Sequence, residues 1–278
     1  MAVGGEGAVM SIRVCIAGVT GWTGSAVARY LLRSDGIEVV GAIARRAAGT
    51  DLGEAVGVGA TGTTVQATLV DVLASGAAVD VLVDYTDPVS VKPRVLEALA
   101  HGVRVVIGTS GLTADDFVDI EAAALQVRLG VIAAGNFSIT AALAKHCSLL
   151  AAKYLPSWEI IDYASAGKID APSGTTRELA EAMGEIAASQ LAVSLADTHG
   201  PREARGATMG GAQVHSVRLP GFVIAFETLF GLPDERLTIR HDAGNGADPY
   251  AAGTKVAVER VMETTGLIRG LDQLLFHD

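Results

Sequence analysis

The chain has 278 residues, of which 50% are hydrophobic, and this is enough to build a large core in one or two domains. Its formal net charge of −10 disfavours nucleic acid and anionic lipid as partners. Its apolar runs are far shorter than the roughly 20 residues that a helix needs to cross a bilayer. We therefore expect a small-molecule ligand, with neither nucleic acid nor a membrane as partner.

The N-terminal segment and the cysteines indicate where the protein works. Residues 1–10 carry Glu6 among glycines and have no basic segment, which predicts a flexible leader rather than a signal peptide. Cys15 and Cys147 form no CxxC spacing, so we predict neither a disulfide framework nor a metal site. These features favour a cytoplasmic location.

The first half of the chain alternates short β-branched apolar runs with alanine-rich segments of helical period. This alternation predicts βαβ units on a parallel sheet. The predicted strands are Arg13–Ala17, Glu38–Ala44, Val79–Asp84, Val103–Gly108 and Leu129–Ala133. The predicted helices are Thr23–Arg33, Ser90–His101, Thr113–Gln126 and Ile139–Tyr154.

After Trp158 the pattern changes to longer alternating strands around one helix, which predicts a separate α+β domain with a mixed, mostly antiparallel sheet. The predicted strands are Glu159–Ala164, Gln213–Leu219, Val223–Phe230 and Arg236–Asp242, and the predicted helix is Gly174–Leu191. Glycines, alanines and charges predict a loop over Thr198–Gly211, and a closing helix is expected over Gly253–Thr264. The fold class is therefore α/β, with a second α+β domain.

A glycine-rich loop follows the first predicted strand. Gly18, Gly21 and Gly24 stand in G-x-x-G-x-x-G spacing ahead of a helical pattern. Glycines there allow a tight turn and bring backbone N–H groups of a helix N-terminus near a pyrophosphate. We predict that the loop binds a dinucleotide through these glycines and their neighbours Thr20, Trp22 and Thr23; the alternative is an ordinary turn.

Arg45 and Arg46 follow the second predicted strand, where an NAD-preferring site would place an acidic residue to bind the ribose diol. Guanidinium groups form bidentate, charge-assisted hydrogen bonds with phosphate oxygens. The pair therefore favours NADPH, through its 2′-phosphate, as the cofactor. NADH remains possible, because two adjacent arginines are also common on solvated loops.

The segment Lys168–Thr175 precedes the helix of the second domain. Ser173 can cap that helix, and Gly174 and Thr175 expose N–H groups at its positive end, where a carboxylate would be stabilised. Lys168 adds a full positive charge. The segment predicts a carboxylate site; a merely well-capped helix would leave the lysine unexplained.

Six motifs in order resemble the dihydrodipicolinate reductase family, which reduces a cyclic dicarboxylate with a nicotinamide cofactor in the synthesis of lysine and diaminopimelate. They are Gly18–Gly24, Val83–Pro88, Val106–Gly111, Asn136–Ser138, Lys168–Thr175 and Val214–Gly221. The resemblance implies a Rossmann-type dinucleotide-binding domain over residues 11–138 and 250–278. It also implies a substrate and tetramerisation domain over residues 139–249, and hence a homotetramer.

The resemblance also implies roles for individual residues. Those expected around the cofactor, besides the glycine-rich loop and the arginine pair, are Thr86, Gly108, Thr109, Ala134, Asn136 and Phe137. Those expected around the substrate carboxylates are Lys168, Ser173, Gly174 and Thr175, with Ser165 nearby.

Two departures from the family pattern concern catalysis. The family carries His-His-Arg-x-Lys, and one histidine is thought to donate the proton after hydride transfer, whereas this chain has Ala164, Ser165 and Ala166 ahead of Lys168. Near the C-terminal hinge, Gly246–Tyr250 lacks the arginine that the family often has. Lys168 and Tyr163 are the candidate replacement catalytic residues, since an ammonium group can draw a nearby phenol toward ionisation. For Tyr163, a role as a core or interface residue is the slightly favoured alternative.

These departures leave three functions open. The leading hypothesis is an NADPH-dependent reductase that transfers hydride to a C=N or conjugated C=C bond of a carboxylated, cyclic substrate, with an altered substrate or mechanism because the catalytic histidine is absent. The first alternative is a genuine dihydrodipicolinate reductase of lysine biosynthesis with a substitute proton donor. The second is an NADPH-binding pseudoenzyme that senses without turnover.

Overall fold

The computed structural model describes residues 11–276, so the predicted leader 1–10 lies outside the described residues. The described chain forms twelve strands and nine α-helices, labelled in chain order. The strands are β1 Ile12–Ala17, β2 Ile37–Ile43, β3 Val65–Gln66, β4 Val81–Asp84, β5 Arg104–Ile107, β6 Gly130–Ala133, β7 Ser157–Ala164, β8 Ala207–Met209, β9 Ala212–Arg218, β10 Ile224–Leu232, β11 Glu235–Ala243 and β12 Gly266–Arg269. The helices are α1 Trp22–Leu31, α2 Leu52–Val56, α3 Leu69–Ala74, α4 Val91–Ala100, α5 Ala114–Val127, α6 Ile139–Ala152, α7 Gly174–Ile186, α8 Asp248–Val261 and α9 Leu271–Phe276.

These elements form two compact units. Of the described residues, 11–138 and Ala247–Leu274 make the first unit, and Ile139–Gly246 with residues 275–276 make the second. The sequence places its second domain boundary at residue 250, three residues after the point where the chain returns to the first unit.

The first unit is built on a seven-stranded parallel sheet in the order β12-β6-β5-β4-β1-β2-β3. Val14 to Ala17 of β1 and all of β4 are fully buried, as expected for strands with both faces covered. After β3 the chain returns to the other side of β1, which makes the carboxyl ends of β1 and β4 a topological switch point, the usual place for ligands in such sheets. The α/β fold class is confirmed.

Short elements of this unit were not predicted. The strand β3 has two residues, α2 has five and α3 has six, so each is too short to show a clear hydrophobic period. The same holds for β12 and α9. Capping identifies two of the helices, since Asp51 caps α2 and Thr68 forms a capping box with Asp71 at α3.

The second unit carries a five-stranded sheet in the order β11-β10-β7-β9-β8, in which only the β7–β9 pair is parallel among the described strands. The prediction of a mixed, mostly antiparallel sheet is confirmed. Buried residues alternate along β7, and Trp158 and Ile160 pack against α6 and α7 through Ala144, Leu179 and Met183. The residues between them, including Ile161 and Tyr163, lie on the other face and are only partly buried.

Three predicted boundaries in the C-terminal half were wrong. The segment 198–211 contains β8, which turns into β9 through Gly210 and Gly211, both with positive φ as a two-residue hairpin requires. Helix α7 ends at Ile186 rather than Leu191, because Ser189 Oγ bonds the backbone of Trp158 and ties the chain to β7. Helix α8 begins at Asp248 rather than at residue 253, since a proline is tolerated in the first turn.

No helix in residues 11–276 is long and apolar enough to cross a membrane.

Candidate functional site

The glycine-rich loop joins β1 to α1 and cannot accept side chains at two positions. Gly18 has φ +86°, and a Cβ there would stand 2.2 Å from the Tyr85 carbonyl oxygen. A Cβ on Gly24 would stand 2.1 Å from the Gly18 carbonyl oxygen. The Gly21 N–H donates to the same carbonyl at 2.9 Å. The loop is therefore folded tightly over the first turn of α1.

The N-terminus of α1 suits an anion. Its N-cap, Gly21, supplies no capping side chain, and the first turn holds no acidic residue. Backbone N–H groups there need an external acceptor, and the helix dipole favours a negative one. Trp22 is 57% exposed beside the loop and meets the Tyr250 ring edge-on, with centroids 5.9 Å apart. Thr20 is exposed and Thr23 is partly buried. These residues fit a bound pyrophosphate.

Arg45 and Arg46 form a short 3-10 turn directly after β2, the neighbour of β1 in the sheet. Both are exposed. The Arg45 guanidinium lies 3.8 Å from the Asp87 carboxylate, a contact too long and too solvated to hold it firmly. The arrangement leaves guanidinium groups open toward a 2′-phosphate, and their role stays a prediction.

A buried carboxylate at the end of β4 was not predicted. Asp84 ends β4, is fully buried and accepts a hydrogen bond from Arg94 Nη1 at 2.6 Å. It also accepts from the hydroxyls of Thr86 at 2.6 Å and Thr109 at 2.8 Å. The predicted cofactor residues Thr86 and Thr109 thus have their hydroxyl protons bound to Asp84. This geometry indicates that the two hydroxyl groups shape the loops after β4 and β5, and it disfavours their direct contact with a cofactor.

Two further predicted cofactor residues, Gly108 and Phe137, lie beside the Tyr85 ring. A Cβ on Gly108 would come within 2.1 Å of that ring, so the close approach requires glycine. Tyr85 is hydrogen-bonded to Thr254 Oγ1 at 2.7 Å, and burial raises the pKa of its phenol. Phe137 is fully buried and meets Tyr85 edge-on. Phe137 is therefore placed as a packing residue, and its predicted contact with the nicotinamide would have to come from its backbone.

The loop before α6 contains the other two. Ala134 is buried, whereas Asn136 is partly exposed and its Oδ1 accepts a hydrogen bond from the Ser138 N–H at 2.8 Å. The Asn136 side chain therefore holds the loop's own turn.

The N-terminus of α7 is the centre of the predicted carboxylate site. Ser173 is the N-cap, and its Oγ accepts from the Thr176 N–H at 3.4 Å. No acidic residue occupies the first turn, and Gly174 is exposed while Thr175 is partly buried. Free N–H groups at this helix end can bind a carboxylate.

One buried carboxylate, Asp162, organises this helix end. It accepts hydrogen bonds from Ser173 Oγ at 2.6 Å, Ser173 N at 3.0 Å and Thr176 Oγ1 at 2.9 Å. It also accepts from Arg218 Nη2 at 2.7 Å and Ser216 Oγ at 3.2 Å. Burial alone would raise the pKa of Asp162, but the donors from Ser173 and Arg218 outweigh it and lower that pKa. Asp162 is therefore an anion at neutral pH.

The lysine of the site is held by a second acidic residue. Lys168 Nζ lies 2.8 Å from Asp170 Oδ1, and the lysine side chain is 30% exposed. This contact with Lys168 lowers the pKa of Asp170. Arg218 Nη2 donates to the Asp170 backbone carbonyl at 2.6 Å. Sequence reasoning missed Asp162 and Arg218, although Asp162 is a charged residue on the buried face of an alternating strand, which signals a paired carboxylate.

Two expectations at this site need correction. The Ser173 hydroxyl is fully buried and donates to Asp162, so it supports the helix end instead of facing a substrate. Tyr163 does not meet an ammonium group: its hydroxyl donates to Glu227 at 3.0 Å, and Arg240 stacks on its ring at 4.9 Å. Burial and Glu227 raise the pKa of Tyr163, which is opposite to the expected direction.

The positions that carry histidine in the family pattern differ in exposure. Ala164 is fully buried at the end of β7, and Ser165 is exposed at the start of the loop that leads to Lys168. The Ser165 carbonyl accepts the Lys168 N–H at 3.0 Å, which curls this loop. Within residues 11–276, no group of three or more His, Cys, Asp or Glu side chains is placed to hold a metal ion.

Known proteins of one family match this chain along nearly its whole length. A family model described as the N-terminus of dihydrodipicolinate reductase matches residues 12–137, and one for its C-terminus matches residues 137–275. The 4-hydroxy-tetrahydrodipicolinate reductase of Moorella thermoacetica is 38% identical over 267 residues, covering 96% of this chain and 99% of that protein. The protein of the same name from Bacillus pumilus is 35% identical, covering 95% and 98%.

Solved structures agree as well. A dihydrodipicolinate reductase from Paenisporosarcina sp. TG-14, solved with dipicolinate bound, has a TM-score of 0.83 at 32% identity, covering 96% of this chain and 100% of that one. An amine dehydrogenase from Mycobacterium smegmatis shares the fold, with a TM-score of 0.67 at 18% identity, covering 94% and 95%. The chain therefore belongs to the dihydrodipicolinate reductase family and is an NAD(P)H-dependent oxidoreductase.

Proposed function

We propose that this protein is a 4-hydroxy-tetrahydrodipicolinate reductase that prefers NADPH and uses Lys168 as its proton donor. The alternative of a substitute donor thus replaces the altered-substrate hypothesis as the leading one. Relatives that are 35–38% identical over nearly the whole chain carry that enzyme name. The observation that carries the proposal is the pairing of an open α7 N-terminus with Lys168, because the helix end can bind a substrate carboxylate and the ammonium group can donate a proton to the ring beside it.

The first unit would hold the cofactor through its own backbone and two arginines. NADPH, when bound, supplies the hydride. The first turn of α1 would bind the pyrophosphate, and Arg45 with Arg46 would bind the 2′-phosphate. The Asp84 network keeps the loops after β4 and β5 in place, and Gly108 leaves room for the Tyr85 ring that packs against its backbone.

The second unit would hold the substrate carboxylates. The N–H groups of Gly174 and Thr175 would bind one of them, and the Lys168 ammonium would lie near the ring. The reaction removes the 4-hydroxyl group as water and adds one hydride and one proton, giving tetrahydrodipicolinate. Hydride addition leaves negative charge on a ring atom, and general-acid delivery of the proton contributes about 10² to 10⁴ fold to such steps.

Lys168 is the better candidate for this acid. Its Nζ carries donors beyond the one directed at Asp170, and it is partly exposed on the loop that leads to the carboxylate-binding helix end. Tyr163 is engaged by Glu227 on the other face of the sheet, and its raised pKa makes it a weaker acid.

The test is NADPH oxidation with freshly generated 4-hydroxy-tetrahydrodipicolinate, with a reaction lacking substrate as the control. We expect turnover on the order of 10 per second, the ordinary range for enzymes. Absence of turnover, together with stabilisation by pyridine-2,6-dicarboxylate, would return the altered-substrate hypothesis to first place. Absence of both would leave only the NADPH-binding pseudoenzyme.

We further propose that the protein works in the cytoplasm as a homotetramer on a small carboxylate and does not bind nucleic acid. The net charge of −10 supports the last point, because it repels a polyanion. The partly exposed face of the second sheet, which includes Ile161 and Tyr163, supports self-association.

A further inference from the structure

Asp162 connects the two parts of the proposed carboxylate site. On one side it binds Ser173 and Thr176, which belong to the cap and first turn of α7. On the other it binds Arg218, whose Nη2 also reaches the Asp170 carbonyl at 2.6 Å. Asp170 in turn is paired with Lys168. A single buried carboxylate thus links the helix end to the lysine loop, residues 165–171.

The link depends on charge as well as on hydrogen bonds. Asp162 is fully buried, and the Arg218 side chain is 17% exposed, so little water can replace either partner. Removing one member of such a pair leaves the other charged, desolvated and uncompensated. Arg218 Nε is itself buried without a partner among the described residues, so the guanidinium depends on its Nη contacts. These contacts hold the guanidinium in one position. Because Nη2 also bonds the Asp170 carbonyl, they hold the Asp170 backbone in place as well.

We propose that Asp162 and Arg218 are positioning residues for the substrate: they set the α7 N-terminus and Lys168 in the relative arrangement that receives a cyclic dicarboxylate. This inference rests on the proposed function for the identity of the ligand. Neither residue needs to touch the substrate, and neither takes part in proton transfer. The positioning of the helix end and the positioning of the lysine loop can be tested separately. Thr176 connects Asp162 to the helix end only, whereas Arg218 connects it to the lysine loop.

The experiment uses Asp162→Asn, Arg218→Lys and Thr176→Val, with Thr228→Val as the matched control. Thr228 is fully buried on β10, in the same sheet, and is bonded to Ser148 rather than to the site. Hydrogen exchange by mass spectrometry reports the loop 165–171 and the first turn of α7 separately. Kinetics report the KM for substrate and the KM for NADPH.

We expect Asp162→Asn to raise exchange in both segments and to raise the KM for substrate about 10- to 100-fold, because small displacements of binding groups are costly. The KM for NADPH should stay within about twofold, since the cofactor residues belong to the other unit. Arg218→Lys should loosen only the loop, and Thr176→Val only the helix turn. Thr228→Val should lower the melting temperature without changing either KM.

Exchange in both segments that is unchanged in Asp162→Asn would overturn the inference, as would a drop in melting temperature like that of Thr228→Val with an unchanged KM for substrate. If Asp162→Asn does not fold, the two partial variants decide, because a purely structural role would loosen both segments together in each of them. If the parent protein does not reduce 4-hydroxy-tetrahydrodipicolinate, the proposed function fails, and exchange still decides whether Asp162 and Arg218 position the two segments.

Discussion

The adjacent residues Asp162 and Tyr163 on β7 have different partners because their side chains lie on opposite faces of the sheet. Asp162 points toward α7 and accepts five hydrogen bonds that organise the proposed carboxylate site. Tyr163, the next residue, donates to Glu227 on the other face and lies under Arg240. Periodicity of two separates these faces in any strand. Proximity in sequence therefore gives Tyr163 no access to the groups that surround Asp162.

Replacing the proposed proton donor should lower turnover selectively. Lys168→Met should reduce kcat about 10² to 10⁴ fold, because it removes the proposed general acid. Lys168→Arg is the matched control for charge: it should retain binding of pyridine-2,6-dicarboxylate but not kcat, since a guanidinium rarely releases a proton. Tyr163→Phe should keep a rate near that of the parent protein. Equal losses of kcat in Tyr163→Phe and Lys168→Met would make the phenol the donor.

His241 should make the protein less stable in mild acid. It is buried against the Phe226 ring, and burial lowers its pKa below the ordinary 6.5 despite the opposing charge of Asp242. The unfolded chain then takes up the proton first, so this contribution to stability is complete above about pH 6.5 and is lost as the pH falls toward the folded-state pKa.

Urea unfolding at pH 7.5 and at pH 5 measures this effect. The difference in unfolding free energy between the two pH values should shrink in His241→Phe, which keeps the ring packing. An identical difference in the parent protein and the variant would show that other groups cause the acid sensitivity.

At the scale of elements, the glycine-rich loop was predictable and the polar network around Asp84 was not. Gly18 and Gly24 follow a β-strand and precede a helix, and local spacing alone indicates that backbone must approach backbone there. Arg94 lies on α4, ten residues after Asp84, and no local sequence pattern indicates that these two side chains pair. The same is true of Arg218 and Asp162, which meet only because β7 and β9 pair in parallel. Long-range polar pairs depend on topology, which periodicity does not encode.

The turn after β2 should decide between the two nicotinamide cofactors. NADPH should bind more tightly than NADH by about 1 to 3 kcal/mol, as expected for charge-assisted contacts to a phosphate. Arg45→Glu combined with Arg46→Ala should remove this preference. Arg260→Glu, an exposed charge change on α8, is the control and should retain it. Titration calorimetry that finds equal affinities in the parent protein would contradict the assignment.

At the scale of the whole molecule, both domain classes could be predicted because each depends on a long, repeated pattern. Five parallel strands with intervening helices gave a clear alternation, and four longer strands gave the second sheet. Elements shorter than about two periods, such as β3 and α2, escaped because so few residues cannot distinguish a period of two from one of 3.6. Gly210 and Gly211, by contrast, were a readable hairpin signal inside a segment that was interpreted as a loop.

Assembly should depend on the uncovered face of the second sheet. Sedimentation or light scattering should give four chain masses for the parent protein. Ile161→Lys should shift the protein to smaller species, because a charge on this partly buried apolar position disfavours a packed interface. Val118→Lys, on the exposed side of α5, is the control and should remain tetrameric. A monomeric parent protein would refute the tetramer.

The division of the first unit between distant parts of the chain has a consequence for synthesis. Strand β12 pairs with β6, and α8 packs against α1, yet both C-terminal elements follow residues 139–246 of the second unit in sequence. On the ribosome, residues 11–138 must wait with one sheet edge unpaired and the inner side of α1 uncovered while the following hundred or so residues are made at about 5 to 20 per second. The second unit, encoded without interruption over Ile139–Gly246, can form during that interval. The nascent chain thus completes its middle before its beginning, and the first six strands of the parallel sheet must keep the edge of β6 from pairing with other chains until β12 has been made.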